Sequence, residues 1–153
     1  MARRRAVALT ILALGLAGCA SSGSSAGTSP ATYRASVNKI CAAYNAKLDA
    51  LPASTANSVA GLDKLLAAAK STLAQVKAVA PPSSMSAAVD RWLGVVAQSS
   101  ANATKLVSAY KAGDKSQVES LVAKGSTLNA QANADAKSLD LASCAVNAQP
   151  SAK

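Results

Sequence analysis

The sequence predicts an all-α domain, an up-down-up-down four-helix bundle closed by one disulfide. Half of the 153 residues are hydrophobic, yet only 3% are aromatic and Phe is absent. The apolar content is therefore mostly Ala, Val and Leu, types that favour helices and let them approach closely. Four stretches carry apolar residues at alternating spacings of three and four, the signature of one buried helix face. Pro52, Pro81-Pro82 and Gly113 fall between those stretches, so each is bounded by a residue that ends a helix. Helices of similar length on short connections pack most simply as an up-down-up-down bundle.

Ahead of the bundle, Arg3, Arg4 and Arg5 precede an apolar run from Ala6 to Leu16 (AVALTILALGL). A basic flank and a short apolar region are the layout of a secretory signal peptide. The run is too short for an ordinary spanning helix, which needs roughly 20 such residues. Leu16-Ala17-Gly18-Cys19 follows, a branched apolar residue, two small ones and a cysteine. It resembles the lipobox of bacterial lipoproteins. The resemblance implies a signal peptide over residues 1–18, cleavage before Cys19, and a diacylglyceryl group on the Cys19 thiol with an N-acyl chain beside it. Each buried methylene would contribute ~0.8 kcal/mol, so two or three chains anchor stably. The expected address is the cell membrane, on its extracytoplasmic face. Ala20 is not Asp, so the inner-membrane retention signal known from some envelopes is missing. Residues 19–29 then read as the lipidated Cys and a Ser/Gly tether (ASSGSSAGTS after Cys19), which would span about 16–19 Å root-mean-square.

The four-helix domain is expected over 30–148, with 149–153 a C-terminal tail. Ser29-Pro30 is a helix start, with Ser as cap and Pro at the first helical position. Tyr33, Val37, Ile40, Tyr44, Leu48 and Leu51 form the first stripe, and Pro52 stops it. Ser54 or Thr55 is expected to cap the second helix, whose stripe runs through Val59, Leu62, Leu66, Leu73, Val76 and Val79. Ser83 or Ser84 opens the third, with Met85, Val89, Trp92, Val96, Leu106 and Tyr110 on one face. Gly113 suits the left-handed position after that helix. Asp114 or Ser116 starts the fourth, Ser116 and Glu119 having capping-box spacing. Val118, Leu121, Leu128 and Leu139 carry its stripe, which Val146 could extend. Its middle is weak, with Gly125, Ala132 and Asp135 in place of larger apolar groups.

Cys41 and Cys144 remain once Cys19 is lipidated. Two cysteines in an exported domain usually pair. Antiparallel first and fourth helices would set Cys41, in the middle of one, beside Cys144, near the end of the other. Such a bridge would close a loop of about a hundred residues and contribute up to ~4.7 kcal/mol in the chain-entropy model. It would also favour a bundle over a pair of extended hairpins that fold only as a dimer. A redox pair has its cysteines close in sequence, and these are not.

Tyr33 to Cys41 (Tyr-x6-Ile-Cys), Ala80-Pro81, Ala112 to Asp114 (Ala-Gly-Asp) and Leu139 to Cys144 (Leu-x-Leu-x-x-Cys) together resemble a group of small, Ala-rich actinobacterial envelope lipoproteins. The resemblance covers most of the mature chain and implies a helical bundle of undefined function, with no catalytic residues carried across. Relatives often have Gly between the late leucines, where this chain has Asp140.

Little in the composition suits catalysis. The chain has no His, on which hydrolytic triads and most metal sites depend. Ser36 and Lys39 have Ser-x-x-Lys spacing but lie one turn apart on a helix, as solvated neighbours do. No glycine-rich phosphate loop is present. The carboxylates are scattered: Asp90 and Arg91 read as surface charges, Asp63 as a surface partner of a nearby Lys and Asp114 as a cap. Asp135 is the carboxylate with an inward option, although such a residue more often turns off the seam and stays wet. No enzyme, metal or cofactor is expected beyond the lipid on Cys19.

Three of the 16 basic residues belong to the leader; the other 13 face 7 acidic residues, leaving about +6. They are spread over every helix with few aromatics between them, which fits anionic lipid headgroups or other envelope proteins and excludes nucleic acid as a partner. The aromatics are core pieces or the lining of an apolar pocket, Tyr44, Trp92 and Tyr110 being the candidates. Two roles follow. A structural or protein-interaction lipoprotein would have a tightly packed interior. A carrier or sensor of an apolar small molecule or lipid would have a continuous cavity near Trp92 or Tyr110.

Overall fold

A computed structural model describes residues 28–52, 54–55 and 58–145. They form a four-helix bundle: α1 (Pro30–Asp49), α2 (Val59–Lys77), α3 (Ser86–Ala112) and α4 (Lys115–Ser138), followed by a short 3-10 turn, Ala142–Cys144. No helix among the described residues is long and apolar enough to cross a membrane. The leader, Cys19, the tether up to Gly27 and Val146 lie outside the described residues.

The helix starts follow from side chains that satisfy orphan backbone N–H groups. Ser29 Oγ accepts from the Thr32 N–H at 3.1 Å with Pro30 behind it, as expected. Asp114 rather than Ser116 caps α4, accepting from the Gln117 N–H at 3.0 Å. The cap of α2 is Ser58, not Ser54 or Thr55; its Oγ accepts from the Gly61 N–H at 3.1 Å. Thr55 instead turns its carbonyl toward this start, so close that a Cβ at Gly61 would collide with it. No side chain caps α3: the Met85 N–H donates to the Pro82 carbonyl at 2.9 Å, and Ser83 contributes through its carbonyl, which accepts from Ser86 Oγ at 3.0 Å.

Helices α3 and α4 end in the same way. Gly113 adopts φ 70°, its N–H reaching the Tyr110 carbonyl while the Asp114 N–H reaches that of Ala109. Asp140 adopts φ 58°, its N–H reaching Lys137 while the Leu141 N–H reaches Ala136 at 2.9 Å. Both are Schellman caps, with a left-handed residue just past the helix end. The second corrects the expected extension of the fourth helix: Cys144 lies not on α4 but in the turn that doubles back beyond Asp140.

Neighbouring helices pack in the order α1–α2–α3–α4, and α3 and α4 make the most extensive contact. The α-carbons of α1 and α4 nowhere come within 8 Å of each other; both instead touch the C-terminal turn, which closes the bundle. The core sits at that end. Tyr33, Val37, Val89 and Leu141 are completely buried, with Cys41, Val76, Trp92, Ala136 and Leu139 packed around them. The weak middle of the α4 stripe has its own explanation. Buried Asn102 of α3 donates through Nδ2 to the Leu121 carbonyl at 2.8 Å, and a Cβ at Gly125 would stand 3.2 Å from that nitrogen. A larger residue would press on this hydrogen bond.

Candidate functional site

Two features are built on α1, one on each of two adjoining faces. The first is a polar row at spacings of four, three and four: Arg34, Asn38, Cys41 and Asn45. Every member engages the segment 139–144. Arg34 Nε donates to the Leu139 carbonyl at 3.0 Å, and its guanidinium lies 3.2 Å from the Asp140 carboxylate. Asn38 Nδ2 donates to the Asp140 carbonyl at 3.1 Å, while Asn38 Oδ1 accepts from the Ser143 N–H at 2.9 Å. Asn45 Nδ2 donates to the Ser143 carbonyl at 2.9 Å. Cys41 is disulfide-bonded to Cys144 across an α-carbon distance of 5.1 Å. The pairing is therefore as expected, on a different element from the one expected. The row of side chains was missed in the sequence, although the same three-and-four rule that revealed the apolar stripe finds it.

The second feature is a cleft of about 840 Å³ between the helices, running from the disulfide toward the α1–α2 connection. Its inner end is formed by Cys41, Val76 and Trp92, all buried. Farther out its walls are leucines, notably Leu48, Leu62, Leu66 and Leu73, none fully buried. It lies where α1 and α4 make no contact with each other, so the apolar faces of α2 and α3 are left partly uncovered there. Of the three candidate pocket residues, Tyr44 and Trp92 line it and Tyr110 does not. Tyr110 is 46% exposed. At the last turn of α3 the small Ala109 is buried and Tyr110 is left outside.

Electrostatically the cleft is quiet. Burial pushes the Tyr44 phenol above its ordinary value, so it is neutral at physiological pH. Tyr33, in the sealed core, is raised by burial first and by the Asp90 carboxylate second. Asp63 pairs with Lys111 at 2.9 Å, as a surface partner should. Asp135 departs from expectation. Its side chain is only 16% exposed, with Oδ1 3.5 Å from Arg91 Nε and Oδ2 buried. Arg91 is thus the ion-pair partner of this inward-facing carboxylate. Among the described residues no group of His, Cys, Asp or Glu side chains could hold a metal ion.

What the geometry offers is an apolar recess of the size that small ligands occupy. Searches of family models, curated proteins and solved structures find no match to this chain.

Proposed function

We propose that this chain is a lipid-anchored protein of the extracytoplasmic face whose bundle carries or senses an apolar ligand held in the interhelical cleft. The observation behind this reading is the cleft itself: about 840 Å³, walled by half-buried leucines and ending on Trp92. Leucines kept from full burial leave apolar area in water, about 25 cal/mol for each Å² that a ligand would cover. A purely structural or interaction role calls for a packed interior and finds less support. The anchoring half of the proposal rests on Arg3–Arg5, the apolar run and Leu16-Ala17-Gly18-Cys19.

The test is native mass spectrometry of the protein released gently from its own membrane. The expected result is a reproducible adduct beyond the Cys19 lipid, lost in Leu66→Arg while the helical content and melting transition persist. A clean mass for the unmodified chain, with no uptake of added alkyl probes, overturns the ligand reading. Loss of labelled fatty-acid incorporation in Cys19→Ala tests the anchor separately.

A further inference from the structure

Resting on the ligand reading above, we infer that the cleft selects an uncharged single-chain amphiphile, an alkyl or acyl chain bearing a neutral hydroxyl-type head, and discriminates against anionic lipids. The chain is basic overall, with 13 Lys and Arg residues beyond the leader against 7 acidic ones. Yet among the described residues no Lys or Arg lines the cleft. Basic residues occupy every helix, and on each of them they stand off the wall. A fatty-acid carboxylate or a phosphate head drawn into this recess would lose its hydration and meet no cation, the arrangement that penalises a buried charge most.

The ionisable groups of the wall reinforce this. Asp49 lies exposed at the outer end and repels an anion rather than pairing with it. Tyr44 stays protonated, a hydroxyl rather than a charge. What the wall offers besides hydrocarbon is neutral hydrogen-bonding capacity, from the hydroxyls of Ser99 and Ser100 and the amide of Asn129. An apolar body with a few neutral polar groups around it fits a neutral amphiphile.

Trp92, the only tryptophan, lies at the inner end and gives the test its readout. Three lipids of one chain length, each brominated along the chain, are titrated into the full chain at pH 8: a monoacylglycerol, the fatty acid and the alkylamine. Quenching of Trp92 by the bromine reports chains inside the cleft and ignores those held on surface lysines. The monoacylglycerol is expected to quench at a concentration at least ten-fold lower than either charged lipid. A ratio below ten for either charged lipid overturns this inference and leaves the apolar-ligand reading standing. Failure of all three to quench overturns both.

Discussion

The two halves of this bundle are made from the same residue types in the same pattern, yet one is sealed and the other is open. At the disulfide end Tyr33, Val37, Val89 and Leu141 are shut off from solvent. Toward the α1–α2 connection Leu48, Leu62, Leu66 and Leu73 hold equivalent positions on their stripes and remain half-exposed. The difference is the C-terminal turn. Close packing needs helix axes about 8–10 Å apart, and α1 and α4, which bring no α-carbons within 8 Å of each other, are bridged only by the C-terminal turn. An apolar stripe states which way a helix faces; what it faces is decided elsewhere in the chain.

This contrast can be broken by experiment, starting with the staple. Reducing Cys41–Cys144, or replacing both residues with Ser, should cost about 2–5 kcal/mol in chemical denaturation, since the loop it closes spans 103 residues. If stability is unchanged, the turn does not close the bundle. Next, Leu141→Ala should cost about 2–5 kcal/mol, as for a fully buried leucine, and Leu66→Ala distinctly less because its site is already half open to water. Equal costs would mean that the halves are packed alike. Asn38→Ala removes two hydrogen bonds to the turn and should cost about 1–3 kcal/mol, with amide exchange rising first in residues 139–144. Asp140→Gly should stabilise by up to about 1 kcal/mol, because φ 58° suits glycine and the lost pairing with Arg34 is solvent-exposed. A loss in that variant would assign the ion pair more weight than its exposure suggests.

The last prediction is confined to alkali. Tyr33 and Tyr44 both have folded values raised above the ordinary 10.0. The unfolded phenols therefore ionise first, so their contribution is intact below about pH 10 and falls as pH rises through the folded values. Tyr33→Phe should flatten that fall for the sealed half. An apolar ligand should push the Tyr44 phenol still higher, so that it ionises at higher pH, and leave Tyr33 unmoved, read by tyrosinate absorbance.

Much of this architecture is legible in the sequence because short-range chemistry fixes it. Ser29-Pro30, Pro52, Pro81-Pro82 and Gly113 mark helix ends by what their own backbones can and cannot do. The cysteine pair is legible from its isolation. Asp140 escaped because a left-handed helix end usually announces itself with Gly, and here an Asp takes the position, its carboxylate beside Arg34. Ser58 escaped because several hydroxyls compete in that connection and only packing against Thr55 chooses among them. The cleft was foreseen as one of two outcomes and could not be chosen, since it depends on a gap between helices rather than on any residue's type. Tyr110 misled because its spacing continues the stripe into the last turn of α3, where Ala109 takes the buried position instead.

The C-terminal turn also sets an order of events as the polypeptide is made. The polar row on α1 is complete once Asn45 has emerged, but every partner it has lies in residues 139–144. Until some hundred further residues arrive, that row lacks its partners, its face of α1 is wet and the Cys41 thiol is unpartnered. The early helices therefore wait for a late latch, and any thiol reagent or competing cysteine met in that interval acts on a bundle that has not yet closed.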